Sequence, residues 1–273
     1  MTHVRHAVLR SLVRLEPFPH VAVRVLELVM NDAPAAEIAA VVQGDPGLTA
    51  KVIATVNSAA YRPVEPITTI KDATVRLGSA HVANIALAAG AATFFMGYGG
   101  SSSRSNAVRW EECTHVASFA RALAAETRAF HPELAFTIGL LQNVAHVVLD
   151  RFLEEHRDAV KLQVEDGAPL LVAERTELGL DHAQCGARLA RRWSFPSELT
   201  DAIRDHHAVD GASAFPAIGV LAESLAAACV EDDGTSLLES DASEAQARLG
   251  LDDERIAHVV GAVRDELSGS QPE

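Results

Sequence analysis

Apolar residues recur at helical spacing along most of the chain. Behind Pro19, which suits the first turn of a helix, they repeat at the 3.6-residue period. The pattern returns after Pro34, and again after Asp45-Pro46, a helix N-cap followed by a residue with a helical φ. Each segment therefore predicts a helix with one apolar face. The apolar positions are Val21, Val25, Leu28 and Val29, then Ile38, Val41 and Val42, then Leu48, Val52, Ile53 and Val56.

A Gly- and Ser-rich break from Gly97 to Ser105 divides this pattern. It predicts an N-terminal helical lobe at about 1–96, a flexible linker at about 97–105 and a helical core at about 106–230. A polar linker from Asp232 to Ser243 and an acidic helix near 252–267 follow, so we expect 231–273 to lie outside the domain. The fold class is all-α. The core helices are predicted at 108–127, 132–153, 169–178, 181–192, 196–207 and 215–230.

Composition and charge narrow the classes of partner. The chain has 273 residues, of which 48% are hydrophobic, and this is enough to bury a substantial core. Its net charge of −14 is uneven, since residues 231–273 hold twelve acids and three arginines. An acidic chain without a basic patch argues against direct binding of duplex nucleic acid. A small nucleotide needs only one or two arginines and stays open as a ligand.

The cysteines and the apolar runs indicate the cellular compartment of the protein. Cys113, Cys185 and Cys229 are far apart, without a CxxC pair, which fits a reducing compartment and neither a disulfide framework nor a structural zinc. The N-terminus has no secretory signal pattern, and no charge-free apolar run reaches about 18 residues. The closest, 82–96, is short and Ala-rich and predicts a buried helix. We therefore expect a cytoplasmic protein without a membrane span.

Several blocks occur in an order that resembles the HDOD domain, the HD-related output domain of bacterial signalling proteins. Residues 45–61 read DPGLTAKVIATVNSAAY, and the later blocks are 66–73, 174–183, 193–196 and 203–207. The resemblance runs from about Leu15 to about Ala208. It implies a multi-helix HDOD/HD-like bundle with an N-terminal helical lobe, and a role in signal transduction through a protein partner.

Within these blocks, three features favour structural roles. Asp45 is interpreted as a cap, and Asn57-Ser58 as a helix end, although both of the latter could instead line a groove between the lobes. Trp193 with Phe195 is interpreted as a core anchor at a corner between two helices.

The segment Gly139–His146, GLLQNVAH, resembles the GLLHD-type helix of HD phosphohydrolases, in which an adjacent His and Asp hold a catalytic metal. Gln142 and Asn143 occupy those two positions, and the position of a further His ligand falls on Glu112. A metal hydrolase needs its cation to activate water, and an amide oxygen is a weak, uncharged ligand. The sequence therefore predicts no catalytic residues, no metal and no cofactor.

Other residues could line the vestigial site. A residual metal site built from Glu112, His146, His182 and His206 stays open, the alternative being that these histidines cap helices or lie partly exposed. His207 adjoins His206 and could lie with it at the mouth of a cleft. Three arginines are the nearest candidates for binding a nucleotide: Arg109, Arg121 and Arg204.

Three hypotheses of function follow. The first is a non-catalytic signalling module that acts through protein–protein interaction, which the lost ligands favour. The second is a sensor that binds a nucleotide or second messenger in the former catalytic pocket. The third is a divergent phosphohydrolase with an altered metal set, whose activity would depend on His182 and His206.

Overall fold

The computed structural model describes residues 2–58, 61, 63–97, 103–230 and 239–268. Within these ranges the chain forms fifteen α-helices and no strand, which confirms the predicted all-α class. The helices are α1 Thr2–Arg14, α2 His20–Met30, α3 Ala35–Gln43, α4 Pro46–Val56, α5 Ile70–Leu77, α6 Ser79–Gly97, α7 Ser103–Thr127, α8 Pro132–Leu141, α9 His146–Glu165, α10 Leu170–Leu178, α11 His182–Arg192, α12 Ser197–Asp205, α13 Phe215–Val230, α14 Glu239–Leu249 and α15 Asp253–Ser268.

Buried side chains form two clusters that meet at α6. The smaller cluster lies among α2–α6, with Val42, Val52 and Ala86 fully buried. The larger surrounds α7, α8, α9, α11 and α13. One part of α6 contributes to the smaller cluster, whereas Phe95 further along it belongs to the larger one. Since α6 is apolar on every side, it joins the lobe to the core.

The first helix packs on the core rather than within the lobe. It contacts α9, α10 and α11, and its Val8 and Leu12 are buried in the larger cluster. The smaller cluster is therefore built by α2–α6, and the predicted lobe of 1–96 begins one helix too early. The reason is that the apolar face of α1 fits the surface of α9–α11, which local patterning does not specify.

The C-terminal helices also belong to the larger core. α14 contacts α13, and α15 contacts α7, with Ala245, Val259 and Val263 buried between them. The expectation that 231–273 lies outside the domain is therefore corrected for residues 239–268. The apolar residues at helical spacing face the core, whereas the exposed positions include these acids: Glu244, Asp252, Asp253, Glu254 and Asp265.

Several predicted boundaries differ from the structure. Of the predicted linker 97–105, residues 98–102 lie outside the described ranges, and α7 begins at Ser103 instead of 108. Of the linker Asp232 to Ser243, residues 232–238 lie outside them, and α14 begins at Glu239. The predicted helix 132–153 is divided in two, because α8 ends at Leu141 and α9 begins at His146.

The three features assigned to structure behave as such. Asp45 accepts a hydrogen bond from the Leu48 amide at 3.0 Å as the N-cap of α4. Asn57 ends that helix, donating to the Ile67 carbonyl at 2.7 Å and accepting from the Ile67 amide at 2.8 Å. Trp193 donates from Nε1 to the Glu16 carbonyl at 3.2 Å and packs on Phe18.

Two stretches of the described chain have the length and apolar composition of a membrane span, Ser79–Gly97 and Pro132–Asp150. Each is 67% buried inside the structure. A buried core helix meets the same criteria, and the first stretch contains the segment 82–96 for which burial was predicted.

Candidate functional site

Gln142 and Asn143 lie in a turn that separates α8 from α9. The Val144 amide donates to the Leu141 carbonyl, and the His146 amide donates to the Asn143 carbonyl, both at 3.0 Å. The Gln142 side chain is fully buried. A Cβ at Gly219 would lie 3.1 Å from Gln142 Oε1, so only glycine lets α13 approach this closely without displacing the amide. The turn is therefore enclosed by the core.

Both amides are directed at one carboxylate, that of Glu223 on α13. Gln142 Nε2 donates to Glu223 Oε1 at 2.6 Å, and Asn143 Nδ2 donates to the same oxygen at 2.5 Å. The amide oxygens consequently point away, and both are buried without a hydrogen-bond partner. A cation requires lone pairs, whereas these side chains present hydrogens to Glu223. The residues at the two HD positions therefore do not fit the catalytic metal of that superfamily.

Three histidines converge beside Glu223. His182 Nε2 lies 3.2 Å from His206 Nε2 and 2.9 Å from His207 Nε2. The two latter nitrogens lie 3.8 and 4.0 Å from oxygens of Glu223. His182 and His206 are buried, and the His207 side chain is only 8% exposed. We call these residues the three-histidine cluster: His182, His206 and His207.

The outer ring nitrogens of two of these histidines are held by acceptors. His182 Nδ1 lies 2.8 Å from Glu174 Oε2, and His206 Nδ1 lies 2.7 Å from the carbonyl oxygen of Ile203. A carboxylate and a carbonyl can only accept, so each Nδ1 carries the hydrogen. In a neutral ring the Nε2 then bears a lone pair. His182 and His206 thus direct lone pairs toward the same point.

The helix arrangement fixes these positions. Asp181 caps α11 by accepting from the Gln184 amide at 2.6 Å, and it also accepts from Arg175. Glu174 on α10 accepts from the backbone amide of His182 at 2.8 Å. The His146 ring stacks on that of His182, with 4.9 Å between centroids. The start of α11 is therefore held by two buried carboxylates.

The environment shifts the pKa values in opposite directions. Burial and the neighbouring histidines hold the pKa of His206 well below its usual 6.5, and burial likewise lowers the pKa of His146. Burial also opposes charge on His182, but the charge and hydrogen bond of Glu174 outweigh it and raise the pKa of His182. The pKa of Glu174 is lowered, because contact with His182 overcomes the effect of burial.

The residual metal site that the sequence left open is only partly assembled. Among the described side chains, two groups bring three ligand atoms within 4.8 Å of one another: the three-histidine cluster, and His146 with Glu174 and His182. Glu112 belongs to neither. It accepts from Arg109 at 2.6 Å. His146, His182 and His206 are thus brought together, with His207 in addition and without Glu112.

The three arginines proposed for nucleotide binding are each bound to carboxylates. Besides Glu112, Arg109 donates to Asp150 at 2.7 and 2.9 Å. Arg121 donates to Glu266 and lies 5.1 Å above the ring of Phe136. Arg204 is paired with two acids of its own helix, Asp201 and Asp205. None of the three is a free cation.

Two carboxylates were missed from the sequence. Glu223 is the sole charged residue in the apolar helix α13, and Glu174 is buried eight residues before His182. Buried acids are rare unless they are paired or bind a metal, so an isolated acid in an apolar helix is a usable signal. Glu174 lies within the segment 174–183 that resembles the HDOD domain.

Comparison with known proteins adds the following similarities. A family model described as the HDOD domain matches residues 15–209. An uncharacterized protein of Treponema pallidum (strain Nichols) is 26% identical over 201 residues, 71% of this chain. The chain spans only 38% of the length of that relative.

Solved structures share the architecture. An HDOD domain protein with unknown function from Geobacter sulfurreducens superposes with a TM-score of 0.70 at 22% identity, covering 97% of both chains. A protein of Shewanella amazonensis SB2B, provisionally named a phosphohydrolase, gives 0.68 at 25% identity, covering 95% of this chain and 93% of that one. A protein of Marinobacter aquaeolei VT8, provisionally named a signal transduction protein, gives 0.66 at 22%, covering 97% and 63%.

Proposed function

This chain belongs to the HDOD family, and from that premise we propose that it is a non-catalytic regulatory module that acts in the cytoplasm by binding a signalling protein. The observation that carries the proposal is the pairing of Gln142 and Asn143 with one oxygen of Glu223. In an HD phosphohydrolase the two positions supply an imidazole and a carboxylate to the metal. Here they are hydrogen-bond donors that occupy a carboxylate.

The electrostatics of this pairing support a loss of hydrolysis at these positions. Two neutral amides satisfy Glu223 Oε1 inside the core, so the carboxylate is stabilised without a cation there. The amides could turn their oxygens toward a metal only by giving up both hydrogen bonds. Lewis-acid activation of water, which hydrolysis by this superfamily requires, has no suitable ligands at the pair.

An apolar cavity offers a surface for a partner. It has a volume of about 360 Å³ and opens between α8, α12 and α13, with Leu134, Leu199 and Phe215 among its lining residues. Glu198 and Asp201 also line it. An apolar depression that carries acids suits an amphipathic segment with basic residues, since its apolar face fills the cavity and its charges meet the acids.

The test combines turnover with association. Purified protein supplied separately with Mn²⁺, Fe²⁺, Zn²⁺ or Mg²⁺ is assayed for hydrolysis of nucleotides, cyclic dinucleotides and a generic phosphodiester. We expect no hydrolysis beyond that of His182→Ala protein. Turnover that is lost in His182→Ala and His206→Ala would overturn the proposal and favour the divergent phosphohydrolase, in keeping with the name of the Shewanella relative.

Association is tested by photo-cross-linking in the source cells from a residue placed at 202, which lines the cavity. A cross-linked protein that is lost when Leu134→Glu closes the cavity, and kept in Val172→Glu on the exposed part of α10, supports the proposal. Identical cross-links in both variants would show that the partner does not bind at this cavity.

The sensor hypothesis is tested in parallel by equilibrium binding of nucleotides. It is weakened because Arg109, Arg121 and Arg204 are all engaged by acids. Nucleotide binding by the wild-type protein that is lost in Arg109→Gln would support the sensor hypothesis.

A further inference from the structure

Two neighbouring helices of this acidic protein, α1 and α11, contain several arginines and no acid. Each helix has three arginines and neither has an Asp or a Glu. The whole chain, in contrast, has 37 acids against 23 basic residues. All six of these arginines are exposed. We call them the arginine surface: Arg5, Arg10 and Arg14 on α1, and Arg188, Arg191 and Arg192 on α11.

Packing places the two helices side by side in the same direction. α1 contacts α11. At one end, a Cβ built on Gly179, just before α11, would lie 2.8 Å from the Cβ of Arg5. At the other end, Trp193, directly after α11, donates from Nε1 to the Glu16 carbonyl at 3.2 Å. The starts of the two helices therefore meet, as do their ends, and arginines that are far apart in the sequence lie on adjacent helices.

The arginine surface has no acidic partner within the described part of the chain. Its guanidinium groups form no ion pair with any described carboxylate, although Glu16 and several positions of α9, which α1 also contacts, are exposed acids. Elsewhere Arg109, Arg121 and Arg204 are each bound to acids. Six like charges on two adjacent helices repel one another, and a partner of opposite charge relieves this repulsion.

Helix dipoles explain only part of this arrangement. Cations are favoured at the C-terminus of a helix, and Arg14, Arg191 and Arg192 lie in the last turns of α1 and α11. Arg5, however, lies in the first turn of α1, where the dipole disfavours a cation, and Arg188 lies within α11. The positive charge of the surface therefore exceeds what the two helix ends favour.

An acidic protein segment fits this surface. A guanidinium binds a carboxylate through two parallel hydrogen bonds. Packed helix axes lie about 8–10 Å apart, so a further helix can lie along the groove between α1 and α11 and meet arginines on both sides. Val13 is 61% exposed between Arg10 and Arg14 and offers an apolar contact to the same segment. We propose that the arginine surface binds a short acidic amphipathic segment of a partner protein.

The charge of the remaining chain favours a short segment over a long polyanion. Exposed charges act over a Debye length of about 8 Å at physiological ionic strength. A nucleic acid or an anionic membrane extends beyond α1 and α11 over a protein whose net charge is −14, and therefore meets acids as well as arginines. A segment confined to the groove, which is about 16 Å long at 1.5 Å per residue of α11, stays beside the arginines.

The experiment measures binding of a dye-labelled helical peptide to the full-length protein by fluorescence anisotropy. The peptide presents glutamates at positions i, i+3, i+4 and i+7 around one leucine, and a matched peptide carries glutamine at the same positions. We expect only the acidic peptide to bind, with an affinity that falls as the salt concentration rises. Absence of such binding overturns the proposal and shows that the arginines form a solvated face.

Charge-matched variants locate the binding site. The first variant removes three arginines of the surface: Arg10→Gln, Arg14→Gln and Arg188→Gln. The control removes three exposed arginines elsewhere and changes the net charge equally: Arg76→Gln, Arg128→Gln and Arg264→Gln. The first should lower the affinity about 10-fold, because each exposed ion pair contributes only about a factor of two. Equal losses in both variants would overturn the proposal, and circular dichroism checks that both are folded.

A second pair of variants tests whether both helices form the surface. One variant changes α1 alone, with Arg10→Gln and Arg14→Gln, and the other changes α11 alone, with Arg188→Gln and Arg191→Gln. Each should weaken binding of the acidic peptide by about 5-fold, at about a factor of two for each ion pair. An effect that is confined to one helix would overturn a surface shared by the two.

Competition identifies the class of partner. Single-stranded RNA and vesicles that contain phosphatidylglycerol should displace the labelled peptide less well than the unlabelled peptide does. Equal displacement would overturn the acidic segment in favour of a general polyanion site. The surface is separate from the apolar cavity, so Leu134→Glu should leave peptide binding unchanged. The two surfaces can therefore fail independently, and loss of peptide binding in Leu134→Glu would overturn the assignment to α1 and α11.

Discussion

Asn84 on α6 donates from Nδ2 to both the backbone carbonyl and the carboxylate of Glu133 on α8, at 2.9 and 2.8 Å. Its Oδ1 accepts from the hydroxyl of Thr137 at 2.6 Å. The Asn84 side chain is buried and all of its polar atoms are used. This pairing is a polar connection between the lobe and the helix that leads to Gln142.

Replacing Asn84 should weaken the whole fold. In Asn84→Ala the buried side of Glu133 loses both Nδ2 donations and the Thr137 hydroxyl keeps only the Glu133 carbonyl as acceptor, so the cost should be about 1–3 kcal/mol in the free energy of unfolding. Urea denaturation measures it. Asn31→Ala is the control, because Asn31 donates to the Glu27 carbonyl at an exposed helix end, and its loss should cost less than 1 kcal/mol. Equal losses of unfolding free energy in both variants would show that Asn84 does not connect the lobe and the core.

Glu133 should make stability depend on pH. Burial raises the pKa of Glu133, but His81, Arg121 and Asn84 together outweigh burial and hold it below its ordinary 4.5. A lowered folded-state pKa stabilises the protein above about pH 4.5, and this contribution is lost as pH falls through the lowered value. Glu133→Gln should therefore be less stable than wild type at pH 7, with the difference narrowing below pH 4. A difference in unfolding free energy that is constant between pH 7 and 3.5 would show that the charge is not responsible.

A second carboxylate at position 142 should repel Glu223. Gln142→Glu keeps the shape but places an acid where Nε2 now lies 2.6 Å from Glu223 Oε1, and the cost at pH 7 should be about 3 kcal/mol or more. Stability should recover on acidification to pH 5, measured by thermal unfolding with chelator present. In the matched change Gln163→Glu, beside the partly exposed Glu177, water screens the repulsion and the loss should be smaller.

Gly186 should tolerate no side chain. A Cβ there would lie 2.9 Å from Ile203 Cγ2, so in Gly186→Ala either the buried Ile203 side chain or the contact between α11 and α12 must shift. We expect a loss of about 1–3 kcal/mol in stability. In Gly261→Ala the new Cβ meets nothing within 4 Å, and the better helix former should raise stability by up to about 1 kcal/mol. If the packing is as described, denaturant unfolding should show a lower free energy of unfolding for Gly186→Ala and a higher one for Gly261→Ala.

The C-terminal helix should be required for the core. Val263 is 1% exposed, so Val263→Asp would bury an unpaired charge, detach α15 and lower Tm markedly. Arg264→Asp adds the same residue one position along, on the exposed face, and should change stability by less than about 1 kcal/mol. Similar Tm values for the two variants would mean that α15 does not hold the core.

Helix positions followed from local pattern wherever caps and apolar spacing agreed, as for α13, whose predicted span of 215–230 is the observed one. The break after Leu141 did not, because after Gly139 the segment 139–146 contains no Gly or Pro, and Asn143 alone disfavours a helix only weakly. The turn there is accompanied by hydrogen bonds from Gln142 and Asn143 to Glu223, about 80 residues away. Long-range pairing of this kind has no local signature.

The sequence indicated residues of the site, but it did not show how they are brought together. The sequence left open a residual site that contains His182 and His206, but whether these two converge depends on how α11 and α12 meet at Gly186 and Ile203. Glu112 was expected within the site, and its ion pair with Arg109 follows from a spacing of three residues on one helix. The metal-free state remains a prediction from the amides at 142 and 143.

The position of α1 has a consequence for folding order. The helix leaves the ribosome before its partner α9, which begins roughly 130 residues after α1 ends, a delay of roughly 7–26 s at about 5–20 residues per second. During that time α2–α6 can close the smaller cluster on their own, while Val8 and Leu12 stay exposed to water and to other chains. The larger core is then completed last, when the early helix α1 meets helices that are synthesised much later.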